Sequence, residues 1–126
     1  MKRLKVAVAI LLLIPIFLIF MQHYLRRTTD SMRDLVIQAD QSVEAGRAED
    51  AGRQVTAFCK KWEKSRMVLA LFVKHSELDV VNLSAARLPA YLSHGEDGDF
   101  DAEAESLSVQ LHHLWESERF SLDNIL

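Results

Sequence analysis

Residues 6–21 form an unbroken run of sixteen side chains with no charge and no strongly polar group, and nothing else in the chain constrains its fold as much. Extended to Leu4 on one side and to Tyr24 and Leu25 on the other, the run reaches 22 residues. As a helix it would be about 33 Å long, enough to cross a hydrocarbon core of about 30 Å. Lys5 can reach back to the interface along its own stem. Pro15 lies in the middle of the run, where a soluble helix would resist it and a membrane helix tolerates it. The competing reading is a cleaved secretory signal, because Lys2, Arg3 and Lys5 precede the apolar stretch. A signal would have a shorter apolar region, about 7 to 15 residues, and a small-x-small cleavage site after it. Here Gln22, His23, Tyr24, Leu25, Arg26 and Arg27 follow, bulky and basic. Residues 1–27 are therefore expected to remain as a single-pass transmembrane anchor.

Basic residues flank both ends of the run, with Lys2, Arg3, Lys5 and the terminal amine before it and Arg26 and Arg27 after it. The positive-inside bias favours a cytoplasmic N-terminus. Residues 28–126 would then form one extracytoplasmic domain of the cell membrane. About one hundred residues suffice for one compact core.

Residues 22–126 carry 12 Lys and Arg against 18 Asp and Glu, a formal charge of −6. Bulk electrostatics of that sign disfavour DNA, RNA and anionic lipid, so no nucleic-acid partner is expected. Cys59 is the single cysteine, which excludes an intramolecular disulfide and the metal frameworks built on paired cysteines. It reads as a small buried apolar group. An intermolecular bridge is the sharper alternative in an oxidising compartment.

Behind the anchor the apolar positions recur at helical spacing. Thr28, Thr29, Asp30 and Ser31 offer N-cap side chains, and Met32, Leu35, Val36, Ala39 and Val43 then share one face of a helix that Gly46 can end. A second stripe starts near Arg47 with Ala48, Ala51, Val55, Phe58 and Trp62, and continues to Leu69 and Phe72 across Ser65. A third, of Val68, Leu71, His75, Leu78, Val81, Ala85, Leu88 and Leu92, overlaps it. The chain can turn near Lys64 and Ser65 or between Lys74 and Ser76. Ser76-Glu77-Leu78-Asp79 has the form of a capping box, which favours a break near His75. Pro89 falls in the last turns of this helix, and His94-Gly95-Glu96-Asp97-Gly98 is the clearest loop. A last helix from about Asp99 to Glu118 would align Phe100, Ala104, Leu107, Leu111 and Leu114, with Trp115 beside them. No period-two alternation occurs. The expected class is all-α: an N-terminal transmembrane helix followed by a small antiparallel bundle of three to four helices. The apolar tail from Phe120 to Leu126 should pack back on that bundle.

The anchor, Trp62, the segment His75-Ser76-Glu77-Leu78-Asp79 and the ending Phe120-Ser121-Leu122-Asp123-Asn124-Ile125-Leu126 together resemble domain-of-unknown-function family 4363, small anchored proteins found mainly in Firmicutes. The likeness lies in the order and spacing of these elements over nearly the whole chain. It implies a membrane-anchored helical protein, with no catalytic residue to carry over. Trp62, His75, Glu77, Asp79 and Asn124 are the structural candidates that it marks.

His75 and Asp79 stand four apart and could share a metal, but two ligands are too few for a structural site. The expected role is a partly buried histidine hydrogen-bonded to a neighbouring carboxylate. Residues 96–105 hold six acids, and Asp97, Asp99 and Asp101 match the first three ligand positions of a calcium loop. Ala102 then stands where the sharp turn needs glycine and Ser108 where the bidentate glutamate should be. The run reads better as acids complementing a helix N-terminus. His112-His113 lacks the zinc-protease spacing, and the chain has no phosphate loop or serine-nucleophile motif. The expectation is a non-catalytic interaction or accessory module at the membrane, with no cofactor, a protein partner there, and weak self-association left open. A ligand or cation sensor using the acidic loop or the His75 segment is the alternative.

Overall fold

The computed structural model describes the backbone of residues 1–125 and the side chains of residues 1–114 and 116. The described residues form four helices and no strand: α1 (Lys2–Glu44), α2 (Ala48–Leu69), α3 (His75–Ser93) and α4 (Asp97–Ile125). The all-α class expected from the spacing of the apolar residues is the class observed.

The apolar run and the first amphipathic segment are one helix of 43 residues that passes through Pro15. The separate helix start expected at residues 28–31 is not formed. Thr29 Oγ1 instead bonds back to the carbonyls of Leu25 at 2.9 Å and Arg26 at 3.1 Å, which satisfies the hydroxyl within the helix. No Gly or Pro lies between Tyr24 and Val43. Once a helix exists, each further residue adds a backbone bond without a new nucleation cost, so the chain has no reason to break there.

The two halves of α1 have different surroundings. Its most apolar stretch is 0 % buried within the chain, whereas Leu25, Thr28, Thr29, Met32, Val36, Ala39 and Ser42 are buried against the other helices. One rod is thus a bare apolar arm at its N-terminal end and a core helix at its C-terminal end. Burial begins at Leu25, three residues before the boundary at Thr28 expected from composition.

Gly46 ends α1 as expected. At φ +75° it lets the Arg47 N–H reach Ser42 O at 2.8 Å while its own N–H reaches Val43 O at 3.1 Å, a Schellman pair that satisfies two terminal carbonyls. Gly95, at φ +67°, ends α3 in the same way, with Glu96 N bonded to Tyr91 O at 2.9 Å. The turn between α2 and α3 falls at residues 70–74, just ahead of His75. Lys64 and Ser65 stay helical because Ser65 lies on the buried face of α2. The capping box does not form: Lys74 holds the N-cap position in extended backbone and makes no side-chain cap bond. The loop expected over residues 94–98 is shorter, since α4 already starts at Asp97.

In the bundle α1 packs on α2 and α4, and α3 closes the ring by packing on α2 and α4. Neighbours run antiparallel, as the pairs Ser42–Gln54 and Lys61–Ser31 between α1 and α2 require. Trp62, Phe58, Phe100, Met32, Leu69, Leu88, Leu107 and Leu111 fill the centre. Burying each such side chain contributes about 1.5–3 kcal/mol.

Candidate functional site

Among the described side chains, Trp62 is the marked residue that the structure places in the core. It is 2 % exposed, and its indole Nε1–H donates to Asn82 Oδ1 at 2.6 Å across the α2–α3 contact. A buried indole needs such a partner, because an unpaired N–H there costs about 1–3 kcal/mol. Asn82 escaped the reading of the sequence, since a lone asparagine on a helix carries no pattern that links it to a tryptophan twenty positions away.

The His75 segment lies elsewhere. His75 and Asp79 are exposed on the first turns of α3 and no hydrogen bond joins them, while Glu77 is half-buried beside them. The expected partly buried His75–Asp79 pair is therefore not formed. His75 starts α3 directly after the turn, so the stripe that seemed to run through it from Leu71 to Leu78 belongs to two different elements. Leu71 itself is 78 % exposed. Asn124, Trp115 and the tail from Phe120 to Leu126 lie outside the described side chains.

The acidic run supplies the densest group of ionisable residues. Asp97 and Asp99 sit in the first turn of α4, where the helix dipole favours them. The run is helical from Asp97 onward, so it cannot wrap a cation as a calcium loop does. One of its members reaches another helix: Asp101 meets Asp40 and Glu44 of α1, with carboxylate oxygens of the three within 4.8 Å of one another. Asp40 Oδ1 is sealed from water and has no hydrogen-bond donor. Burial, then the hydrogen bond and charge of Asp101, then the charges of Glu44 and Glu105 push the Asp40 carboxyl up to about 7. A proton kept on Asp40 lets the two aspartates share a hydrogen bond that two carboxylates could not make. The acidic junction is thus a pH-sensitive part of the α1–α4 contact.

Cys59 is half-buried on α2, and its Sγ–H points to Ala85 O of α3 at 3.6 Å. Burial, followed by the charge of Glu63, pushes the thiol up, which lowers its thiolate fraction and its reactivity. Packing against α3 agrees with the small apolar role expected of it.

A family model described as Domain of unknown function (DUF4363) matches residues 19–125. No curated protein and no solved structure matches the chain.

Proposed function

Because the chain belongs to this family of unknown function, whose match takes in the last turns of the apolar arm and the bundle behind it, we propose that it is a single-pass membrane protein. In this reading the bundle is a non-catalytic interaction module that contacts another membrane or envelope protein. The observation that carries it is the build of α1. Its N-terminal half is long and apolar enough to cross a membrane, with its most apolar stretch 0 % buried in the chain, and the same rod continues as a core helix of the bundle. A helix without a break at the neck holds the bundle at a set height and rotation above the bilayer, which suits presentation of a surface more than passage of a substrate. His75 and the residue after Ser93, His94, stand at opposite ends of α3, about 28 Å apart by helical rise, so these histidines do not converge on one reaction centre.

The basic residues before Val6 put the N-terminus in the cytoplasm and the bundle outside. A reporter active only outside the cytoplasm and fused after Leu126 should be active, and the full-length mass should persist in membranes through alkaline carbonate washing. Activity of the complementary cytoplasmic reporter would reverse the topology, and a shorter soluble form would remove the anchor. Crosslinking within the membrane should capture a protein partner reproducibly.

The cation-sensor alternative draws on the cluster of Asp40, Glu44 and Asp101. Calorimetric titration of the full-length protein with calcium, magnesium or zinc separates the two readings. Binding heat that disappears in Asp101→Asn would replace the interaction module with a sensor.

A further inference from the structure

The two ends of the bundle differ in charge. Residues 60–74, the end of α2 and its turn into α3, hold five basic side chains and one acid, while residues 96–105 hold six acids and no base. The register of the helices places these segments at opposite ends. Lys61 of α2 donates to Ser31 of α1. From that level eight residues of α2 lead to Leu69 and eight residues of α1 lead back to His23, about 12 Å along each helix. The α2–α3 turn therefore stands where the apolar arm leaves the bundle. The acidic N-terminus of α4 is at the far end, beside the C-terminus of α3, a 19-residue helix and so about 28 Å away.

The basic end also exposes apolar side chains. Met67 and Leu71 are 76 % and 78 % exposed and flank the turn between Lys64, Arg66 and Lys74. Met67 faces the α3 side of this end, with Arg66, His75 and Asp79, and on its α1 side Phe20, His23, Tyr24, Arg27, Ser31 and Lys61 line a cleft between α1 and α2. Arg27 is exposed there and has no ion-pair partner among the described residues. The acids at this end are spread over all four helices: Asp30 is 3.9 Å from Arg26, Glu63 is 3.4 Å from Arg66, Glu77 lies in the first turn of α3, Asp79 lines a hollow with Arg66 and Met67, and Glu116 of α4 is 3.2 Å from His112. This leaves the five basic side chains of residues 60–74, with Arg26 and Arg27, in the majority.

We propose that this corner is a second membrane contact, an anionic-phospholipid docking surface on which Met67 and Leu71 enter the interface and a lipid phosphate lies between Arg27 and Lys61. The inference rests on the membrane reading of α1, because Tyr24 and Arg27 come to headgroup depth only if the arm spans the bilayer. The net charge of −6 on residues 22–126 does not oppose it. At physiological ionic strength fields fade over about 8 Å, so the membrane meets the basic end and not the acidic one. Each lysine near an anionic surface contributes about 1 kcal/mol, and the side chains of an interfacial segment add apolar burial. Docking would fix the tilt of the bundle and leave its acidic end facing away from the lipid.

The full-length protein carrying Cys59→Ala, spin-labelled through Leu71→Cys or, as the far-end control, Gly98→Cys, is reconstituted into vesicles of phosphatidylcholine alone or mixed with phosphatidylglycerol. In the anionic vesicles the label at 71 should gain collisions with lipid-soluble oxygen and lose them with a water-soluble nickel chelate, while the label at 98 stays in water. Molar salt should return the label at 71 to water in the unaltered background. Lys61→Gln, Lys64→Gln and Lys74→Gln together should lower the docked-to-undocked ratio by roughly a hundredfold, the equivalent of three such lysine contributions, with the helical dichroism unchanged. A label at 71 that is equally exposed to water in both vesicle types, or insensitive to salt, overturns the docking surface. If the protein resists carbonate extraction in that case, the anchor stands and the docking alone is wrong. Extraction by carbonate would instead remove the anchor and the docking with it.

Discussion

Replacing Asp40 by asparagine should stabilise this protein at alkaline pH, against the usual expectation for a substitution at a helix–helix contact. The carboxyl is raised from 3.8 to about 7, which at 1.36 kcal/mol per pH unit sets a ceiling of roughly 4 kcal/mol. Asp40 is only partly buried and its neighbour Glu44 is exposed. Solvent screening reduces the expected effect to about 1–2 kcal/mol. The folded state holds the proton more tightly than the unfolded chain, so the contribution of this group to stability is fully present below about pH 4, is lost as the pH rises to about 7, and changes no further beyond that. Asparagine keeps the shape, removes the charge and can donate its amide to Asp101, so the variant should lose this decline. Thermal unfolding of the full-length protein in detergent micelles, followed by far-ultraviolet dichroism at about pH 5 and pH 8, reads the difference as roughly 4 to 8 °C in Tm per kcal/mol at pH 8. Asp101→Asn should behave alike, and the double variant should gain less than the sum because the two residues share one hydrogen bond. A wild-type Tm that stays level or rises between these two pH values, or an Asp40→Asn protein less stable at pH 8, would refute the shared proton.

Trp62→Ala should cost about 3–5 kcal/mol by leaving a central cavity, and Asn82→Ala about 1–3 kcal/mol by stranding the indole N–H, both measured by chemical unfolding in micelles. A near-neutral Trp62→Ala would place that residue outside the core. His75→Ala should change stability by less than about 0.5 kcal/mol, as for other exposed positions, and stoichiometric zinc should not move the Tm; a zinc-dependent rise that vanishes in the variant would restore the metal reading. Gly46→Ala should cost about 1 kcal/mol, because its φ of +75° strains an L side chain although nothing else crowds the position.

The sequence by itself determined the apolar arm, the helical class and most of the core, because each depends on a period or a length that the chain displays locally. Met32, Val36 and Ala39, then Val55, Phe58 and Trp62, then Phe100, Ala104, Leu107, Leu111 and Leu114 are buried where their spacing put them. Gly46 was legible as a stop for the same local reason: it is the first residue after that stripe that accepts a left-handed conformation without strain. Only the tertiary structure decided the rest. The continuity of the arm with the first bundle helix goes with the Thr29 hydroxyl bonding back within the helix, an option that its N-cap preference in sequence does not reveal. His75 changed from stripe member to exposed first residue of α3 because a stripe drawn across a turn joins positions with no common face. The Trp62–Asn82 bond and the Asp40–Asp101 junction each unite residues on different helices. Their chemistry depends on the register in which antiparallel helices settle, and that register is set by packing over the whole core, which no segment of the chain specifies alone.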